Sequence, residues 1–441
     1  MEEKISTASE YLIILIYLLP IVLFWLYRIL KSRRASHRHT QALEENRQAG
    51  LTEPASLHPI SNRDLCIACN ACVKACPEGN VLAIINDKVE LVNPTHCIGH
   101  GACARACPVN AITLVFGTEK RGVDIPNINA NFETNVPGIF IAGELGGMGL
   151  IRNAVEQGRQ AMEAICKKPR IDDKDQLDVV IIGAGPAGFS ASLSALQNKL
   201  RFVTLEQETF GGTVSHYPRG KIVMTQPAEL AIIGKIRFRE TTKEELMAFW
   251  EKVVQDTGLQ VNCNERMESI TPFEGGYEVK TTKTSYRTSN ILLAIGRRGT
   301  PRKLGVPGEE LPKVVYRLVD PEQYRDKHVL IVGGGDSALE AATSIAEEPG
   351  TTVTLSYRSG AFSRAKEKNR QKVEAAEAAG KLTVLLKSNT KEITRRSVIL
   401  DQEGKKIEID NDAIIVSAGG ILPTGMLRDM GIKVDTKFGT A

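Results

Sequence analysis

The sequence has little of what would assign it to several common classes. It has no strong charge bias: a net charge of +4 over 441 residues creates no basic field of the kind that draws nucleic acid. No nucleic-acid partner is expected. Outside one short stretch the chain is almost without cysteine, since seven of its nine cysteines lie between Cys66 and Cys107. That is the density of a metal-cluster site rather than of a secreted disulfide framework. The other two, Cys166 and Cys263, are isolated, so a dithiol relay within the chain is not expected. Histidine is missing from the one long apolar run, which leaves no haem ligand there. That run is preceded by an acidic segment and followed by no small-residue cleavage site, which argues against a cleaved signal peptide.

What is present begins with that run, Tyr11 to Leu30, apolar except for Pro20 and Arg28. At 1.5 Å rise per residue it is long enough for a hydrocarbon core of about 30 Å. The expectation is one transmembrane helix, residues 1–30, followed by a polar, partly helical linker over 31–60. Lys31, Arg33, Arg34 and Arg38 follow it, which places the catalytic domains on the cytoplasmic side of an inner membrane as a single-pass protein.

The chain is organised around Asp178 to Glu206. Val179 to Ile182 reads as a strand, Gly183-Ala184-Gly185-Pro186-Ala187-Gly188 as a tight turn opening a helix, and Glu206 as an acid 18 residues beyond Gly188. Glycines let the backbone approach a pyrophosphate, the helix N-terminus supplies N–H groups, and the acid accepts from a ribose hydroxyl. A second fingerprint runs from Val329 through Gly333-Gly334-Gly335-Asp336-Ser337. Its second strand, Thr352 to Tyr357, ends without an acid, and Arg358, Arg364 and Lys366 follow. Guanidinium groups suit a 2′-phosphate, so this site is expected to take NADPH and the first to take FAD. NADH is left open at this site.

Between Cys66 and Pro108 the sequence repeats itself. Cys66, Cys69, Cys72 and Cys76-Pro77 are echoed by Cys97, His100, Cys103 and Cys107-Pro108. This resembles the bacterial dicluster ferredoxin, a small α+β fold holding two 4Fe-4S clusters. The resemblance assigns Cys66, Cys69, Cys72 and Cys107 to one cluster and Cys97, Cys103 and Cys76 to the other. Structural zinc is the plainer alternative. His100 replaces a cysteine of the family pattern, and three readings stand: it ligates the fourth iron, the site holds a 3Fe-4S cluster, or it is a bystander beside an exogenous ligand. Two inequivalent clusters are expected.

The segment Asn135-Val-Pro-Gly-Ile-Phe-Ile-Ala-Gly143-Glu144, then Arg152-Asn153-Ala154 opening an amphipathic helix, resembles the last strand and helix of the FAD domain in low-molecular-weight flavin disulfide reductases such as bacterial thioredoxin reductase. There it normally follows the NAD(P)H domain; here it precedes the first flavin strand, which implies a circular permutation. The resemblance implies an α/β fold of two Rossmann-like three-layer domains of the thioredoxin reductase type. In this arrangement 61–115 is the ferredoxin domain and 116–168 the displaced FAD segment. Residues 169–176 are a linker, 177–300 the FAD domain, 301–410 the NAD(P)H domain and 411–441 the return to the FAD domain. It places Gly143 and Glu144 at the ribityl chain, Arg152 to Ala154 at the pyrimidine edge, and Gly212, Thr213 and Tyr217 to Thr225 in the flavin pocket. Counting back from Gly333, the place of the family's redox dithiol falls on Tyr316 to Asp320.

NADPH, a flavin and two one-electron clusters make a two-to-one electron converter. The expected function is a membrane-anchored NAD(P)H:acceptor oxidoreductase working with a membrane cytochrome or a soluble electron carrier, as a homodimer if it follows its relatives. No side chain is needed as acid or base. Two other readings stand: reductase of a low-molecular-weight disulfide or other small oxidised substrate fed by the ferredoxin domain, and a non-catalytic redox sensor.

Overall fold

The computed structural model describes residues 2–49, 51–54, 57–97, 99–119, 121–147, 149–170, 173–224, 228–236, 241–297 and 299–439, with the backbone alone for 2–17, 21, 32, 222 and 224. The chain divides into two compact units, one built from residues 1–53 and 58–114, the other from 54–57 and 115–441.

The smaller unit begins with α1, Glu2–Gln48. This helix corrects the expected membrane span: among the described residues no helix is long and apolar enough to cross a membrane. Pro20 and Arg28 interrupt the apolar run, and the helix continues past Leu30 through Lys31, Arg33 and Arg34 instead of stopping at a membrane boundary. Its far end docks within the unit, where Ala42 and Leu43 pack on Ala83, Ile85 and Val92 and the Asn46 amide donates to the Val92 carbonyl at 3.0 Å. The inner-membrane placement and the membrane as a partner rested on that span and fall with it.

The rest of this unit is a doubled motif. Strand β1 (His58–Ser61) pairs with β4 (Ile112–Val115), and β2 (Leu82–Ile85) forms an antiparallel hairpin with β3 (Lys88–Leu91). Two one-turn helices, α2 (Ala71–Ala75) and α3 (Ala102–Arg105), carry the cysteine repeats. Val81, Leu82, Val89 and Ile112 bury against Cys72, Cys97 and Cys103, so the hydrophobic core of the unit is also the wall around its thiols.

The larger unit holds two main sheets, the first mixed, with an antiparallel meander continuing its parallel strands, and the second all parallel. In the first, β7 (Leu177–Ile182), β8 (Phe202–Leu205), β9 (Met267–Phe273), β10 (Gly276–Thr281) and β11 (Ser285–Leu293) lie in the order β9-β10-β11-β7-β8. The upstream segment joins this sheet: β6 (Ile139–Ile141) runs parallel to Ile291–Leu293 of β11, and α4 (Ile151–Cys166) packs on α5 (Pro186–Gln197), whose Phe189 and Leu193 also meet Leu246 and Trp250 of α6 (Lys243–Thr257). Phe140, Met162, Ile165, Val179, Ile181 and Leu292 form one buried cluster, built from apolar strands flanked on both faces.

The second sheet has the order β12 (Val314–Val315), β19 (Ala413–Val416), β13 (His328–Val332), β14 (Thr352–Tyr357), β15 (Leu382–Leu386), all parallel. Helices α7 (Asp336–Ala346) and α8 (Glu367–Ala378) cover one face. A three-stranded antiparallel meander, β16 (Ser388–Ile393), β17 (Ser397–Gln402) and β18 (Lys405–Asp410), covers the other. After α9 (Thr424–Asp429) the chain returns to the first sheet's side, where β20 (Val434–Lys437) pairs antiparallel with β5 (Val123–Pro126).

Candidate cofactor and cluster sites

The first glycine loop leaves β7 and enters α5 under tight steric control. Gly183 has φ +103°, a region that favours glycine, and a Cβ there would lie 2.5 Å from the Ala294 carbonyl oxygen. Gly185 has no atom within 3.8 Å of the Cβ it lacks, the nearest being Gly211 O at 3.9 Å, so its face is open to a ligand. Pro186 opens the helix at its first turn, and Gly188 sits directly against the Gly183 carbonyl. Glu206 is buried at the end of β8, where its carboxylate accepts from Ala184 N–H at 2.8 Å and Glu208 N–H at 3.1 Å. The acid expected at a ribose therefore also ties the loop to the next strand.

Two further segments complete this cradle. Gly211 N–H donates to the Ala184 carbonyl at 3.1 Å, which seats Gly212 and Thr213 beside Gly185. From upstream, Gly143 N–H donates to the Gln157 side chain at 2.9 Å, and Gly143, Glu144, Leu150 and Ala154 line the same cavity as Gly185, Pro186, Ala187 and Glu206, a space of about 970 Å³. Burial pushes the Glu144 carboxyl above its ordinary range, with Arg297 pulling the other way. Arg152 and Asn153 lie in the first turn of α4 but do not line the cavity. Thr225, at the end of the expected flavin-pocket stretch, lies outside the described residues.

Sequence reasoning missed Gly158. It faces α5 so closely that a Cβ would be 2.1 Å from the Ala187 carbonyl oxygen, and this contact holds the upstream helix against the loop. The signal was available as a lone glycine within a strongly amphipathic helix. Gly158→Ala is expected to destabilise the protein by about 2–3 kcal/mol, through overpacking against backbone, as read from denaturant unfolding; a loss below half that would show that the helices part without cost.

At the second loop, Gly333 approaches Ser417, with a would-be Cβ 2.4 Å from its carbonyl oxygen, while Gly335 is open. Asp336 begins α7 and accepts from Lys366 N–H at 2.8 Å and from the Asn369 side chain at 2.7 Å; Ser337 follows in the same turn. Gly334 lies under the Tyr357 ring, which stacks on Phe362 with centroids 5.6 Å apart. Arg358 and Arg364 are exposed beyond the end of β14. None of these residues lines the large cavity.

In the smaller unit, Cys66, Cys69, Cys72 and Cys107 line one cavity together with Ile84, Val89 and Val109. Cys76, Cys97 and Cys103 form a second neighbourhood: burial, the largest cause, takes the Cys97 thiol to about 11 with Cys103 and Cys76 adding to the rise, and burial with Cys76 raises that of Cys103. Cys72 is likewise pushed up to about 11 by burial. Holding a cluster would require these thiols to give up their protons, which would couple cluster binding to folding of the unit. Among the described residues no three His, Cys, Asp or Glu side chains converge on a single-ion site. Four thiols spread around an apolar cavity fit an iron-sulfur cube better than zinc, whose bonds of about 2.3 Å draw its ligands to a point.

Comparison with known proteins gives the same two parts. Residues 180–439 match the family model "Pyridine nucleotide-disulphide oxidoreductase". The chain belongs to that family. Residues 58–108 match the 4Fe-4S dicluster domain. The chain is 27% identical to the bacilliredoxin reductase Bdr of Bacillus subtilis over 60% of its own length and 83% of that protein's. It is 30% identical to the ferredoxin–NADP reductase of Ignicoccus hospitalis over 55% and 76%. Among solved structures, the bacillithiol disulfide reductase Bdr of Bacillus cereus superposes with a TM-score of 0.53 at 26% identity, covering 58% of this chain and 82% of that one. The protein is thus a ferredoxin–NADP reductase-like flavoprotein oxidoreductase with an iron-sulfur domain.

Within this family member, the wall of the cavity facing the flavin cradle carries Tyr316, Arg317 and Val319, with no cysteine among them. Arg317 donates to Glu208 at 3.0 Å, and Glu208 also meets His216 at 2.6 Å. Lys221 pairs with Glu340 of α7 at 2.8 Å. These contacts join the two nucleotide folds. Burial alone would raise the Glu208 carboxyl, but Arg317 and His216 outweigh it and hold it low. Its stabilising contribution is therefore present above the ordinary carboxyl range and lost as pH falls through the depressed value. Glu208→Gln is expected to cost about 1 kcal/mol near pH 7, the scale of a half-exposed pair. The difference from wild type should close on acidification; an equal deficit at every pH would show that the charge is not responsible.

Proposed function

We propose that the protein is an NAD(P)H:acceptor oxidoreductase that passes electrons between NADPH, FAD and two iron-sulfur clusters, to or from a redox partner protein. The observation that carries this reading is the thiol-free wall at Tyr316, Arg317 and Val319 in a chain that also carries two cysteine sets. Bound flavin supplies the exchange between paired and single electrons. The residues supply position and electrostatics. Gly183, Gly185, Gly188, Gly212 and Thr213 would cradle the FAD pyrophosphate, Glu206 its ribose, Gly143 and Glu144 its ribityl chain, and the first turn of α4 would direct N–H groups at the ring. Gly333, Gly335, Asp336 and Ser337 would receive the nicotinamide nucleotide, with Arg358 and Arg364 on a 2′-phosphate. Cys66, Cys69, Cys72 and Cys107 would hold a 4Fe-4S cluster, and Cys76, Cys97 and Cys103 the second.

The segment order is read as a circular permutation, with 116–168 and 411–441 completing an FAD domain whose main part is 177–300. Supporting this, β6 enters the first sheet beside β11 and β20 pairs with β5.

Stopped-flow mixing of the purified holoprotein with NADPH tests the function. Flavin bleaching followed by cluster reduction is expected, and Cys66→Ser should keep the first phase and lose electron delivery through the first cluster. Bleaching with no cluster reduction would favour the second reading, a small-disulfide reductase, to which the similarity with Bdr over 83% of that protein points. No bleaching with either NADPH or NADH would leave the sensor.

A further inference from the structure

The two halves of the cluster unit serve as each other's control. Cys66 to Cys72 and Cys97 to Cys103 share four of seven residues, and the described parts of their loops have matching backbones. Ala68 and Gly99, third in each loop, have φ of 54° and 83°, and Asn70 and Gly101, fifth in each, have φ of 64° and 69°. Lys74 N–H bonds Asn70 O at 3.2 Å, and Arg105 N–H bonds Gly101 O at 3.3 Å. Ala68 adopts this left-handed conformation despite its Cβ, so the loop shape is imposed by the site rather than by residue preference. His100 therefore occupies the same backbone station as Cys69, which lines the first cluster cavity.

The turns after the fourth cysteines match as well. Gly79 N–H bonds Cys76 O at 3.3 Å, and Asn110 N–H bonds Cys107 O at 3.4 Å. This makes Glu78 the counterpart of Val109, and Val109 lines the first cavity with Cys69. Where the ligand station carries a thiol, its neighbour is apolar; where it carries an imidazole, its neighbour is a carboxylate. That carboxylate faces one ring nitrogen: Glu78 Oε1 lies 3.8 Å from His100 Nδ1, with the imidazole largely buried and Glu78 at the surface. A thiolate needs no orienting partner, whereas a metal-bound imidazole commonly donates its second N–H to a carboxylate, which fixes tautomer and ring direction.

We propose that His100 ligates the second cluster through Nε2 and that Glu78 is a positioning residue, holding Nδ1–H so that Nε2 is turned to the iron. This rests on the reading of Cys76, Cys97 and Cys103 as a cluster site. It makes the second cluster the higher-potential member of the pair, because a neutral imidazole replaces an anionic thiolate, while Glu78 moderates that rise by increasing the imidazole's basicity.

The test is pulsed paramagnetic resonance on the full-length holoprotein, with iron and sulfide counted and the clusters reduced stepwise. In the wild type one of two centres should show a strongly coupled nitrogen that changes on ¹⁵N-histidine labelling and vanishes in His100→Cys. Glu78→Gln, which keeps an acceptor without the charge, should retain that nitrogen and shift the midpoint upward. Glu78→Val, copying the first half, should weaken or lose the nitrogen coupling. Two loaded centres with no coupled nitrogen would overturn the proposal while leaving the cluster reading intact, as would Glu78→Val with wild-type coupling and midpoint. A protein holding no iron in the second site would remove both. The labelling result stands on wild type alone should His100→Cys fail to fold.

Discussion

Gly188→Ala is expected to yield a protein without flavin, destabilised by about 4 kcal/mol. The added Cβ would lie 1.7 Å from the Gly183 carbonyl oxygen and 2.8 Å from its carbon, and neither atom belongs to a side chain that can swing away. Relief requires α5 to move off the loop, yet Phe189, Ala191 and Leu193 of that helix are wholly buried. Overpacking against backbone in a closed core belongs to the short list of changes that cost more than the usual 1–3 kcal/mol. Gly185→Ala is the contrasting measurement. Its Cβ would meet nothing closer than 3.9 Å, so the flavin-free protein should keep its unfolding midpoint while FAD affinity falls. Equal losses of stability in the two variants would refute the division between a glycine that packs the fold and one that admits the ligand.

Arg358→Ala combined with Arg364→Ala should lower kcat/KM for NADPH by about 10²–10³-fold and leave NADH within about twofold. Each hydrogen bond to a charged group contributes roughly 1.5–3 kcal/mol, and an exposed arginine loses little in stability when truncated. Both side chains are exposed next to the strand end where a ribose-binding acid would otherwise stand. A parallel fall with both nucleotides would move the 2′-phosphate site elsewhere, with Lys366 and Lys387 the neighbouring cations.

Legibility in the sequence followed the reach of each interaction. The glycine loop after β7 and the doubled cysteine spacing could be read directly, because both signals lie within a few residues and their chemistry depends on those residue types. The place of Ile139–Ile141 in the first sheet was readable only by likeness to other proteins, since its partner strand lies some 150 residues on. Gly158 against Ala187 and Tyr357 over Gly334 are contacts between elements: a lone glycine in an amphipathic helix marked a close approach, but no local pattern named the partner. The helix α1 was misread for a different reason: a window over Tyr11–Leu30 weighs apolar content but not whether the helix ends where the apolar run ends. Glu78 went unnoticed because its meaning depends on comparing two turns that become equivalent only when folded.

The pairing of β5 with β20 also sets a timetable. Asp124 and its partner Thr436 are separated by 312 positions, so during synthesis β5 emerges long before anything exists for it to pair with. Contacts of such sequence separation form late and leave earlier segments exposed meanwhile. The smaller unit, by contrast, has all its strands by Val115. The residues that would hold the clusters are therefore all made first, and that unit can fold around iron and sulfide while the flavin-binding part is still emerging from the ribosome.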